Sequence, residues 1–456
     1  MYLRSGDLNF RRRRRDNWSR VAVYLVLIVA ALWLVRQGQQ GDITSPFEPT
    51  PTATRTALSF AEEAERQFSA GRLPAAVDAY VAATNADPTN VAYWIALARV
   101  QVYAGQAAEA VKSAETAVLL DSENSNAHAV HAFALDWSGD SAAAADAAVR
   151  AIGLDGNNAL AHAYYAEALI DQGRFAQAGD SIRLALSLAP NSMDVRRIYG
   201  YFLEAAGAYE EAIQQYQAAA TINPNLPFLY IRLGLNYRVL NQYEYAIESF
   251  QRAAALDPTD VNPLLSIART YLQIGEFGRA AQYLEAAMEI DPTNGGIYAR
   301  RGMVFIRSLN YEGALIDLSC AIDGCAEHPE TGAAIEALEL NNANLEYYYS
   351  YASLLAAYLR CDEALPLLDR LRPYGQTNEV VASIIAENEQ ICANAGSTAP
   401  STQAEVNVTA DADSDEGGLA LAPTGNPNAV LSAPATLTPT PFLSSTAVFP
   451  TATPRP

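Results

Sequence analysis

Apolar residues recur at helical spacing through most of this chain, and no stretch alternates apolar and polar positions as a half-buried strand would. A longer period is laid over that spacing. Alanine returns every 34 residues at Ala76, Ala110, Ala144, Ala178, Ala212, Ala246, Ala280 and Ala314, with a second series seven residues behind, from Ala83 to Ala321. A glycine column leads the first series by five residues, through Gly71, Gly105, Gly139, Gly173, Gly207 and Gly275, and Asn241 alone interrupts it in that span. Glycine enters positive φ freely and asparagine tolerates it better than other residues, so the column predicts helix-ending turns. Pro88, Pro190, Pro224, Pro258 and Pro292 close several units, where a residue that cannot continue a helix is expected. Each unit is therefore helix, tight turn, helix, stop.

Within residues 227–260, Tyr230, Leu233, Gly234 and Tyr237 are followed by Ala246, Phe250, Ala253 and Pro258. This pattern resembles the tetratricopeptide repeat family, whose 34-residue unit has Trp, Leu, Gly and Tyr on its first helix, then Ala, Phe and Pro. Residues 91–124 keep Trp94, Leu97 and Ala98 but carry Ala114 in the aromatic slot and Ser122 in place of proline. The resemblance implies an all-α fold, a right-handed α-solenoid of eight helix-turn-helix repeats over 57–324 (57–90, 91–124, 125–158, 159–192, 193–226, 227–260, 261–294 and 295–324). After Gly324 the register breaks into an insertion over 325–344, and a degenerate ninth repeat with a capping helix is expected over 345–394. Solenoids need such a cap to cover the last apolar face. Residues 395–456, rich in Ala, Ser, Thr and Pro, read as a disordered tail that carries the sequon Asn407-Val408-Thr409.

Val21 to Val35 is an unbroken apolar run of fifteen residues between Arg20 and Arg36. It reads as a transmembrane signal-anchor (21–35), short for a span but extendable by arginines that snorkel toward headgroups. A cleavable signal peptide is the rival reading, although no A-x-A motif follows Val35. A basic segment (1–20) holding Arg4, Arg11 to Arg15 and Arg20 precedes the run, so the positive-inside rule predicts a cytoplasmic N-terminus and extracytoplasmic repeats. A Pro/Thr-rich linker (37–56) would hold the repeats off the bilayer.

The formal net charge is -21, and the 30 basic residues include one lysine, Lys112. Residues 1–40 hold eight of the arginines against two aspartates, so the rest of the chain is more acidic still and a nucleic-acid partner is not expected. Catalytic signals are absent: no nucleophile elbow, phosphate loop, H-E-x-x-H helix or paired CxxC occurs, and no enzyme, cofactor or metal function is expected. His128, His131 and His162 could approach one another in adjacent units, but they replace the aromatic and leucine of the family pattern, and packing accounts for them. Four cysteines allow three pairings. Cys320 with Cys325 and Cys361 with Cys392 is favoured, because the first pair closes a short turn and the second pins a terminal helix. Zinc binding competes poorly, since the spacing matches no usual finger, and four reduced thiols are the remaining reading.

In the family, first helices line a concave surface. Carried over, its exposed positions hold Glu65, Asp136, Glu167 and Asp171 against Arg99 in the first four units. The next four hold Arg197, Arg238, Arg269 and Arg307 against Asp194 and Glu204, so the groove changes sign along its length. Tyr201, Phe228, Ile231, Leu265, Leu272 and Ile306 add contact area. The resemblance implies a membrane-anchored scaffold or adaptor that binds protein or peptide partners, with an acidic segment over the arginine half. Alternatives are an assembly or transport factor for envelope machinery, such as pilus assembly, polysaccharide export or cytochrome maturation, and a non-catalytic accessory subunit of an enzyme.

Overall fold

The structure is a computed structural model, and it describes residues 18–39 and 55–397. The expectations for most of the basic segment, the linker and the tail, including the sequon, lie outside the described residues. The chain divides into two compact units, Met1–Thr56 and Ala57–Pro456.

In the first unit, the described residues form one helix, α1 (Trp18–Gln39), whose side chains from Val21 to Trp33 are exposed. The expected single membrane pass through 21–35 is not upheld, and neither is the placement of the repeats outside the membrane that followed from it. Among the described residues, no helix is long and apolar enough to cross a membrane. The continuous apolar run has fifteen residues, against the roughly 20 that a hydrocarbon core requires.

In the second unit, helices pair in sequence. The pairs are α2 (Ala57–Ser69) with α3 (Leu73–Ala86), α4 (Val91–Tyr103) with α5 (Ala107–Leu120), and α6 (Ser125–Trp137) with α7 (Ser141–Leu154). They continue with α8 (Ala159–Asp171) and α9 (Phe175–Leu188), α10 (Met193–Ala205) and α11 (Tyr209–Ile222), and α12 (Pro227–Val239) and α13 (Tyr243–Leu256). The next pairs are α14 (Asn262–Gln273) with α15 (Phe277–Ile290) and α16 (Gly295–Arg307) with α17 (Tyr311–Asp323). Beyond the insertion come α18 (Leu345–Ala357), α19 (Cys361–Gly375) and α20 (Glu379–Ser397). The described residues are all-α, a solenoid of stacked helix pairs with one isolated bridge, between Cys325 and Ile335.

The sequence columns explain the pairing. All sixteen alanines of the two series are fully buried, so the two helices of a unit meet over side chains too small to hold them apart. Asn90, Asn124, Asn158 and Asn294 each cap a first helix, their side-chain oxygens accepting from backbone N–H groups that have no partner inside the helix. At the turn between the helices, Gly105 and Asn241 take φ of 74° and 58°, as the glycine column predicts. Leu309 and Leu359 occupy the same turn in later units at 63° and 57°, a conformation that costs a side chain with a Cβ about 1–2 kcal/mol.

The insertion is ordered by its own bonds. Cys325 and Ile335 exchange two backbone hydrogen bonds of 3.0 and 2.8 Å, and the Leu338 N–H donates to the Ala321 carbonyl at 2.8 Å. His328 is fully buried with Nε2 3.0 Å from Asp317 Oδ1, while Asp317 also accepts both arms of Arg301 at 2.7 and 2.8 Å. The disulfides pair Cys320 with Cys325 and Cys361 with Cys392, at Cα separations of 4.9 and 5.5 Å. The second ties α19 to α20.

The first six repeats wind until the end of the fifth meets the first and the start of the sixth meets the second. Asn225 Nδ2 donates to the Ser69 carbonyl at 2.9 Å across 156 residues of sequence, and Tyr103 stacks on Phe228 with ring centroids 5.0 Å apart. Buried apolar side chains accordingly form two large clusters, one ending at Leu233 and the other beginning at Ala246. Gly71 sits in this seam, where an added Cβ would collide with the Asn225 carbonyl, whereas Gly105 at a similar φ has open space around it. Gly71→Ala is therefore expected to lose at least about 1 kcal/mol more stability than Gly105→Ala, which carries only the backbone penalty. Paired urea melts of the two variants check this.

Candidate functional site

The concave surface of first helices is two sites, not one. Over repeats one to six it is closed by its own side chains. Arg99, on α4, reaches Asp194 on α10 at 2.7 Å across 95 residues of sequence, and the Tyr103 hydroxyl donates to the other oxygen of Asp194. Arg197 makes a bidentate pair with Glu167, both contacts 2.7 Å, and Trp137 Nε1 donates to the same carboxylate at 3.2 Å. Aromatic faces complete the enclosure: the Arg99 guanidinium lies 5.2 Å from the Phe68 ring centre, and that of Arg197 lies 5.3 Å from Phe133. Burial opposes the charge on Arg99 and Arg197, but the facing Asp194 and Glu167 more than offset it and hold both guanidiniums above their ordinary range. Burial, followed by the Asp194 charge, pushes the Tyr103 hydroxyl up. The Tyr164 hydroxyl is buried in the same cluster with no hydrogen-bond partner.

Three of the ten groove residues expected from sequence are thus taken up internally. Arg197 is buried against Glu167, Tyr201 donates to Asp171 at 2.6 Å, and Phe228 stacks on Tyr103. Each of the three thus has a partner within the domain. The signal was legible in the sequence. Arg99, the one base among the groove acids of the first four units, and Asp194, an acid among the arginines of the next four, are the charges that meet across the closed turn.

The other seven lie on the first helices of repeats six to eight. Ile231 on α12, Leu265 and Leu272 on α14, and Ile306 on α16 are half-buried, and Arg269 and Arg307 are exposed. Arg238 is half-buried, its guanidinium 5.9 Å from the Phe250 ring centre. Neither Arg238 nor Arg269 forms an ion pair with an acid among the described residues. Burial, and then the neighbouring Arg269 charge, push the Arg238 guanidinium down to about 10.

The histidines have a different task. His128 and His162 place Nε2 2.9 and 3.0 Å from the carbonyl oxygens of Ser122 and Gly156, six residues earlier. Trp94, Arg196, Tyr230 and Tyr298 occupy the same column and donate to the carbonyl six residues before them, at 2.7 to 3.0 Å. A carbonyl only accepts, so each histidine carries its proton on Nε2 and ties the inter-repeat loop to the first helix. No group of three or more metal-binding side chains occurs among the described residues.

Comparison with known proteins bears on the repeat architecture. Models described as tetratricopeptide repeat match residues 134–193 and 185–227, and another matches 240–300. The chain carries tetratricopeptide repeats. No curated protein matches it in sequence. Among solved structures, the tetratricopeptide solenoid is similar to an IFIT1 monomeric mutant with Gppp-AAAA, at 16% identity over 74% of this chain and 80% of that one, with a TM-score of 0.50. PilW, a type IV pilus biogenesis factor, matches at 21% identity and TM-score 0.40 over 43% of this chain and 90% of its own. The APC/C hetero-tetramer Cut9-Hcn1 matches at 18% identity and TM-score 0.43, over 57% of this chain and 50% of that one. The chain thus spans half the length of that relative. At these identities the likeness concerns the fold alone.

Replacing one partner of the closed half leaves a buried charge, which typically costs about 3–5 kcal/mol. Glu167→Gln is expected to destabilise on that scale, and adding Arg197→Met to Glu167→Leu should recover most of the loss. A urea double-mutant cycle measures both.

Proposed function

We propose that the tetratricopeptide domain is a protein-interaction scaffold whose working groove is its second half, where repeats six to eight receive an extended or helical peptide bearing an acidic segment. The carrying observation is Arg238, a half-buried cation beside Arg269 with no acid paired to either. Guanidinium forks bind carboxylates bidentately, and the half-buried Ile231, Leu265, Leu272 and Ile306 supply apolar contact next to them. The mechanism is recognition without turnover. Similar repeats serve as interaction scaffolds, and that analogy supports the reading without naming a partner.

The pKa of Arg238 states the energetic cost of keeping the site open. Its folded value, about 10, lies below the ordinary arginine range. A base depressed in this way contributes stability only above its unfolded pKa and loses it as pH falls through the folded value, so at neutral pH the charge opposes folding. A docked carboxylate would reverse that.

Two results are expected. With no carboxylate docked, Arg238→Gln should raise stability by about 1 kcal/mol at neutral pH, read as a higher Tm, while weakening peptide binding. In fluorescence anisotropy on the full chain, a labelled peptide of alternating Glu and Leu should bind at least about tenfold more weakly to Arg238→Glu/Arg269→Glu, a loss of about 1.4 kcal/mol. Unchanged binding by the double variant would sink the groove assignment.

A further inference from the structure

The groove of repeats six to eight asks for an acidic segment flanked by apolar residues, and the chain supplies one. The 59 residues after Ser397 contain five acids and one base, Arg455. Four of the acids, Asp411, Asp413, Asp415 and Glu416, fall within six residues. Val406 and Val408 precede them, and Leu419 and Leu421 follow. The order of chemistry is that of the groove, where Arg238 and Arg269 lie among half-buried isoleucines and leucines.

Reach is adequate. Helix α20 packs on α18 and α19, and α18 in turn contacts α16. From α18 the packing runs through α16 and α15 to α14, the helix of Arg269, in three steps of about 8–10 Å each. Thirteen residues lie between Ser397 and Asp411, and that length spans up to about 45 Å when extended. A tether of this length holds its segment near the groove at an effective concentration on the order of millimolar, so even a weak intrinsic affinity keeps the site filled.

We propose that the resting occupant of this groove is the chain's own segment Asp411–Glu416, which competes with acidic partners for Arg238 and Arg269. This rests on the groove reading given above. The tail is then a tethered competitor: a partner must displace it, and its own apolar flanks cover Leu265 and Leu272 while the site is unused. Asp411–Glu416 carries no positive charge, so the contact weakens as salt screens it.

The test uses the full chain with Asp411→Asn, Asp413→Asn, Asp415→Asn and Glu416→Gln, and the labelled Glu/Leu peptide as probe. Neutralising the tail should tighten peptide binding about tenfold, and Arg238→Glu/Arg269→Glu added to it should abolish the gain. Arg269→Glu alone, at an exposed position, repeats the measurement should the double variant fold poorly. Equal affinity with and without the tail charges, with Arg269→Glu still weakening both, overturns the tail proposal and leaves the groove intact. No effect of any arginine substitution overturns both. A gain that changes when the protein is diluted tenfold assigns the tail of a second copy to the groove, and overturns the intramolecular contact.

Discussion

Asp194 is the residue on which the rest of the second unit turns. It lies on the first helix of the fifth repeat and receives Arg99 and Tyr103 from the second. A contact that skips two repeats is uncommon in a solenoid, where each unit ordinarily touches only its neighbours and stability sums along the stack. Here the bond to Asp194, the Asn225–Ser69 bond and the Tyr103–Phe228 stack convert repeats one to six from a one-dimensional array into a closed turn. Closure comes with charges taken out of water, which is tolerable only because each buried guanidinium meets a carboxylate with good geometry. It also removes the concave surface from use.

The second half follows a different rule. From Ala246 onward the core is a separate cluster, and no equivalent contact bridges distant repeats among the described residues. Its far end is held by other means: the Arg301–Asp317–His328 cluster seats the insertion, and the two disulfides hold the insertion to α17 and α19 to α20. An array fixed at its far end can keep Arg238 and Arg269 unpaired by any acid among the described residues. Burial and the Arg269 charge depress the Arg238 guanidinium there, as expected of a cation kept for an acidic occupant.

The repeat period was legible in the sequence because its causes are local. A fully buried alanine, a left-handed turn at Asn241 and an asparagine cap each act within a few residues, and each leaves a column. Leu309 and Leu359 show the limit of that logic, since the same turn between paired helices is taken there by exposed leucines that disfavour it. The histidines were legible as structural, though their common donor role with Trp94 and Tyr230 emerged only from the carbonyls six residues away. Ring closure was not read, because it depends on accumulated superhelical rotation over five units, and a single repeat pattern does not specify that quantity. The change of sign along the groove was its trace. The membrane pass failed for a simpler reason, a fifteen-residue apolar run measured against a thicker bilayer core.

The division of the groove into a closed and an open half is most directly tested by hydroxyl-radical footprinting of the unmodified chain, read residue by residue by mass spectrometry. Phe68, Tyr103 and Phe133, which line the seam at 4%, 7% and 0% exposure, should resist oxidation, while Tyr245, 57% exposed, reacts freely. Oxidation of Phe68 and Tyr103 at a rate comparable to Tyr245 would mean that the first six repeats stand open, and would contradict the account.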